Sequence, residues 1–247
     1  MQFDVRGHQY TGTLVVPDGH SGSAPVVVLS RDWPVATPTA VAAATTCLPA
    51  AGFATFGYRS SSPRCEQTRL RPNELVIALR AAVARLRSEP DIDSNRVGVL
   101  GVGPIAGGVA LVAAADDPWV KAVYVHDPVL DGESWMKERA EFDDEEWDSQ
   151  VAETMARLRA RTVGAADADH VLIGRSGAAD AIDLVAFDHL LRFRPAQHAA
   201  RIPSSQLRVM RTGDATGECV EDIVAQGASW FGDALRTADY DVSYEAV

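Results

Sequence analysis

The chain has 247 residues, 47% of them hydrophobic and 23% charged, with a formal net charge of −11. That composition describes a folded globular protein. The acidic balance (pI ≈ 4.9) argues against nucleic acid and anionic membrane surfaces as partners, since both select a basic face. Cys47, Cys65 and Cys219 are widely spaced and odd in number, which suits a reducing compartment and forms no metal-ligand pair. The start Met1-Gln2-Phe3-Asp4-Val5-Arg6 lacks the pattern of a secretory leader, and no apolar run approaches the roughly 20 residues of a membrane helix. The expectation is a cytoplasmic protein.

Residues 2 to 16 read as two short strands around Gly7-His8, closed by Pro17-Asp18-Gly19. Pro25 to Leu29 is a continuous apolar run of buried-strand type, ending in Ser30-Arg31-Asp32-Trp33-Pro34. An Ala/Thr-rich helix follows to about Ala51, then a strand over Gly52 to Tyr58. From Asn73 to Ser88 the residues Leu75, Leu79, Ala82, Val83 and Leu86 share one helical face, and Pro90 stops the helix. A strand over Val97–Val102, a helix over Ile105–Ala115 and a strand over Val120–His126 continue the rhythm. Regular alternation from 25 to 126 predicts right-handed βαβ crossovers and a mostly parallel sheet.

After Asp131 the pattern changes. Residues 132 to 163 read as helix, acidic early and arginine-rich late, and 164 to 204 as a less regular excursion. Gln206 to Arg211 is a strand candidate, Cys219 to Leu235 a helix, and Tyr240 to Val247 a last strand. The expected organisation is one domain: a core over 1–131, a helical cap over 132–203 and a return to the core over 204–247.

Several stretches resemble the α/β-hydrolase superfamily, its dienelactone hydrolase and acyl-CoA thioesterase-like branches in particular. Gly12 to Pro17 with Pro25 to Pro34 is similar to the opening strands and oxyanion loop, and Ala51 to Arg59 to the next strand. The lead from Pro90 through Asn95-Arg96-Val97-Gly98-Val99-Leu100-Gly101 resembles the approach to the nucleophile elbow. Arg208 to Asp214 resembles the strand that delivers the acid, so the resemblance makes Asp214 the acid-equivalent position. It implies an α/β-hydrolase fold: a mostly parallel doubly wound sheet, an N-terminal antiparallel hairpin and a helical cap insertion.

The departures bear on chemistry. A G-x-S-x-G elbow thrusts a serine Oγ over the sheet beside a backbone N–H. Here the stretch reads Gly101-Val102-Gly103-Pro104-Ile105-Ala106-Gly107-Gly108. Counting forward from Arg96 places Gly103 at the nucleophile position, followed by a proline without an N–H. Counting back from Gly107-Gly108 places Ile105 there, keeps Ala106 as donor and implies a two-residue insertion. Ser30-Arg31-Asp32 replaces the His-Gly of the oxyanion loop. The resemblance expects a histidine after the last strand; Asp239–Val247 is similar to that strand, and no histidine follows it in this sequence. The glycines also mimic a dinucleotide loop, but on the fourth strand of the pattern and with no Asp or Glu ending the next one. No cofactor and no metal is expected.

In open α/β sheets ligands sit outside the carboxyl ends of the strands. Those ends carry Arg31, Asp32 and Trp33, then Tyr58 and Arg59, then His126 and Asp127, then Asp214. In the leading reading His126 is a general acid/base oriented by Asp32 or Asp214. Arg31, Trp33, Tyr58, Arg59, Gly103, Ile105 and Ala106 then line a pocket for a small carbonyl or acyl compound. The reaction is non-hydrolytic: cyclisation, dehydration, isomerisation or decarboxylation. Two rivals stay open. One is a non-catalytic binding or structural member, which leaves room for a homo-oligomer. The other is an esterase or thioesterase with a relocated nucleophile, either Ser176 in Gly174-Arg175-Ser176-Gly177-Ala178 or Cys65 beside Arg64.

Overall fold

The computed structural model describes residues 1–19, 22–30, 38–61, 70–162, 170–172, 181–211 and 219–236. It opens with β1 (Gln2–Val5) and β2 (His8–Val15), paired antiparallel. Arg6 and Gly7 join them at φ 53° and 83°. Two consecutive positive φ values match the right-handed twist of the flanking strands. β2 lies antiparallel to β4 (Ala54–Ser60), and from there the sheet is parallel. β4 pairs with β3 (Ala24–Leu29), β3 with β5 (Ile92–Val102), β5 with β6 (Val120–His126), and β6 with β9 (Leu207–Met210). The seven-stranded order is β1-β2-β4-β3-β5-β6-β9.

All six residues of β3 are buried, as a parallel strand covered on both faces requires. Alternation splits the central strands cleanly. Val26, Val28, Phe56, Val97, Val99, Val123 and Val125 join the apolar cluster that includes α2 (Pro72–Leu86) and α3 (Pro104–Ala115). Val27, Leu29, Leu100, Ala122 and Tyr124 face α1 (Pro38–Ala50) and α8 (Val220–Arg236). Each large side chain so buried contributes about 1.5–3 kcal/mol of transfer free energy. Every residue of α3 from Ile105 to Ala114 is buried, so this helix is apolar all round because protein surrounds it.

The stretch expected to be helical over 132–163 forms two helices, α4 (Gly132–Ala140) and α5 (Asp144–Thr162). Glu141 takes a left-handed conformation (φ 55°) and ends the first. The Asp143 carboxylate accepts the Glu146 N–H (2.9 Å), and the Glu146 carboxylate accepts the Asp143 N–H (3.2 Å). This reciprocal cap starts the second helix. Composition is uniform across the break, so helix propensity alone conceals it.

The stretch 164–204 holds more regular structure than the pattern suggests. β7 (His170–Leu172) and β8 (Ala181–Asp183) form an antiparallel pair apart from the main sheet. α6 (Leu184–Leu191) and α7 (Pro195–Ala199) follow. Asp183 caps α6 through the Ala186 N–H (2.7 Å) and accepts Arg71 (3.2 Å), and Pro195 opens α7. Met136, Trp147, Phe187, Leu190 and Phe193 join the same apolar cluster as the sheet. No described helix is long and apolar enough to cross a membrane.

Candidate functional site

The carboxyl edge of the parallel strands is organised around one tight turn. β5 ends at Val102 and α3 begins at Pro104, so Gly103 makes the strand-to-helix turn. Its φ of 101° and ψ of 167° belong to a region essentially confined to glycine. The Gly103 N–H donates to the His126 carbonyl (3.0 Å), and its own carbonyl accepts the Gly107 N–H (2.9 Å). Ile105 and Ala106 lie inside α3, each only 1% exposed.

Close backbone approach accounts for the neighbouring glycines. A Cβ on Gly101 would stand 2.8 Å from the Ala106 carbonyl oxygen. One on Gly107 would meet Pro128 at 2.7 Å, and one on Gly108 would meet Val129 at 2.7 Å and Phe193 at 2.9 Å. Strand, helix and the 128–129 segment thus touch through their main chains. The glycine run has a packing cause that needs no phosphate.

His126 is the last residue of β6, in register between Val102 of β5 and Met210 of β9, and 7% exposed. Asp127 follows at φ 47°, a conformation rare outside glycine though tolerated by Asp. Its N–H donates to the Met210 carbonyl (2.9 Å), and the Val129 N–H donates to the Pro104 carbonyl (2.9 Å). The chain leaving His126 is therefore tied to β9 on one side and α3 on the other. In that posture Asp127 Oδ2 stands 3.4 Å from His126 Nδ1. An imidazole beside a carboxylate is a proton carrier with a preferred orientation.

Tyr58 goes elsewhere. It is buried in an aromatic cluster, with ring centroids 5.8 Å from Phe3, 6.1 Å from Tyr10 and 6.3 Å from Phe56. β3 and β5 stand between β4 and β6, which separates Tyr58 from His126 by about 14 Å of sheet. Strand alternation sets Tyr58 in line with Phe56 on the α2/α3 face, and His126 in line with Tyr124 on the other. Arg59 is exposed, opposite Thr11 of β2. Arg31, Asp32, Trp33 and Asp214 lie outside the described residues, as do Cys65 and Ser176.

Two residues given no role in the sequence reading belong to this edge. Among the described residues the carboxylate that pairs with the His126 ring is that of Asp127. Ser30, just past β3, donates its N–H to the Leu100 carbonyl (2.8 Å) and buries its Oγ with no hydrogen-bond partner among the described residues. The sequence places Asp127 in the polar set at the strand ends beside His126; nothing in it marks Ser30.

A parallel sheet in this order, with a glycine turn from β5 into a buried helix, defines a protein of the α/β-hydrolase fold. Solved structures agree. DcsB, determined in complex with its substrate analogue, superposes with a TM-score of 0.71 at 15% identity, over 96% of this chain and 98% of that one. The α/β hydrolase GrgF from Penicillium sp. sh18 gives 0.64 at 13%, over 96% and 98%. Est1E from Butyrivibrio proteoclasticus, bound to ferulic acid, gives 0.67 at 11%, over 96% and 99%. No protein-family model and no curated protein matches the sequence. Identities of this size carry the fold, and chemistry must be argued from the site.

Proposed function

We propose that this α/β-hydrolase-fold protein binds a small carbonyl compound at the carboxyl edge of its sheet and performs proton transfer on it instead of hydrolysis, with His126 as proton carrier. One observation carries the reading. The turn from β5 into α3 is Gly103-Pro104, which supplies neither a nucleophilic side chain nor an N–H on the following residue. On the adjacent strand His126, with the Asp127 carboxylate 3.4 Å from its Nδ1, supplies an imidazole that can carry a proton. Asp32 and Asp214 remain candidate acids, and Arg31, Trp33 and Arg59 candidate contacts for the bound compound. Tyr58 enters this reading only as the wall behind β4, and Ile105 and Ala106 as the packed root of the turn.

The rival is a hydrolase with its nucleophile relocated to Ser176 or Cys65, both outside the described residues. Two measurements on folded protein separate the readings. A panel of ketones and 1,3-dicarbonyl compounds in D2O should lose α-protons faster with the wild type than with His126→Gln, followed by NMR. A fluorophosphonate probe should add no mass to the intact protein. A stoichiometric adduct, or α-exchange equal in both proteins, would overturn the proposal.

A further inference from the structure

We infer that Asp127 is the positioning residue of His126, fixing which ring nitrogen acts as base; the inference rests on the proton-transfer reading above. A neutral imidazole carries one N–H, and its tautomer follows from the hydrogen bond that the other groups offer it. Asp127 Oδ2 faces Nδ1 at 3.4 Å. At that distance the contact is electrostatic and longer than a hydrogen bond, and the negative carboxylate favours the proton on Nδ1, which leaves Nε2 its lone pair. Nε2 then takes the α-proton of the carbonyl compound while the C–H bonding pair moves into the enolate. The imidazolium returns a proton to carbon or exchanges it with solvent. Asp127 gains stabilising contact with the cationic ring without itself being protonated.

The backbone holds Asp127 in one geometry beside the ring. Asp127 sits at φ 47°, where glycine would make the turn with less strain. Its N–H is held by the Met210 carbonyl, and the next two residues are clamped onto Gly107 and Gly108 of α3. These contacts are main-chain or belong to Pro128 and Val129. Residues held in such conformations concentrate where a site needs a fixed geometry.

The test compares Asp127→Gly, which suits the φ and removes the acceptor, with Asp127→Asn, which keeps an acceptor oxygen and tolerates the φ. Both are compatible with the turn, and circular dichroism checks that each folds. In ¹⁵N-histidine-labelled protein at about pH 8, above the ordinary histidine range, long-range ¹H–¹⁵N correlations report the tautomer of His126. The Nδ1–H form should dominate in the wild type and in Asp127→Asn, and give way to Nε2–H in Asp127→Gly. The α-exchange rate should fall about tenfold in Asp127→Gly and be largely restored in Asp127→Asn, on the scale of a misoriented general base. An unchanged tautomer in Asp127→Gly would overturn the positioning role. A shifted tautomer together with α-exchange that His126→Gln does not slow would instead overturn the proton-transfer reading, leaving the Asp127–His126 geometry standing.

Discussion

The two ends of the parallel sheet are held together by different means. At the amino end, where α3 stops, long charged side chains do the joining. Asp116 takes Arg80 (3.3 Å) and Arg201 (2.8 Å), Arg80 also donates to the Val112 and Ala113 carbonyls, and Arg87 stacks over Trp119. These groups are a third to a half exposed. Among the described residues of the carboxyl end, joints are main chain on main chain: Gly101 on Ala106, Gly107 on Pro128, Gly103 on His126. Side-chain networks at a surface have slack, because solvent replaces what is removed. Backbone approaches without a Cβ between them have none. The carboxyl end also has a strained φ at Asp127 and a buried Ser30 hydroxyl with no hydrogen-bond partner among the described residues. Precision and conformational cost coincide at the edge where this fold places ligands.

The sharpest way to break that comparison is a single methyl group. Gly107→Ala puts a Cβ 2.7–2.8 Å from Pro128, including its Cα, so the 128–129 segment must move. Overpacking of this kind should cost about 3 kcal/mol. Arg201→Met at the other end removes both bonds to Asp116 and should cost below about 1 kcal/mol. Urea denaturation of the two variants decides it, and costs of equal size would mean that the ends do not differ.

Asp127→Gly sharpens the comparison from the opposite direction. Relief of a left-handed non-glycine residue should stabilise the fold by about 1 kcal/mol. The same change slows α-exchange if Asp127 orients His126. Stability that rises while activity falls is the pattern of strain kept for function. A loss of stability would show that the carboxylate holds the fold.

Much of this architecture is legible in the sequence, and the reasons for the exceptions are physical. Apolar runs such as Pro25–Leu29 and Val120–His126 announce strands buried on both faces, and β6 has the boundaries that its pattern predicts. Local capping signals at Asp143-x-x-Glu146, Asp183 and Pro195 are present too, but uniform helical composition and a short apolar run obscure what they divide. The site is harder to read. Residues at successive strand ends look convergent on paper, yet strand order and alternation send Tyr58 into an aromatic cluster three strands from His126. The Asp127 backbone conformation depends on β9 and α3 gripping both sides of the turn, and no local pattern encodes a grip between distant segments.

Ser30→Ala gives a smaller effect at the same edge. The Ser30 Oγ is buried and makes no hydrogen bond among the described residues, so removing it strands no partner there. Thermal denaturation should show unchanged stability or a gain of up to about 1 kcal/mol. A loss of about 2 kcal/mol or more, on the scale of a buried hydrogen bond broken at one partner, would show that the hydroxyl is engaged after all.

The smallest expected effect is a pH dependence at the amino end. His198 Nδ1 lies 2.5 Å from the Arg201 guanidinium, so the ring accepts there and must be neutral. Burial lowers its pKa below the ordinary 6.5, Arg201 and Arg80 lower it further, and Asp116 opposes them. In the unfolded chain the ring titrates at its ordinary value, so on acidification it takes a proton before the folded one does. The unfolded state then binds more protons, and stability falls as the pH drops through and below 6.5. Above that range the contribution is fully present. His198→Gln cannot be protonated and should flatten this part of the curve when unfolding is followed from about pH 8 to about pH 5. Solvent around the half-exposed arginine keeps the difference small. If the variant loses as much stability as the wild type over that interval, the charges at the amino end are too well screened to bear on the fold. The slack inferred there would then be complete, and the contrast with the carboxyl edge larger than the geometry alone implies.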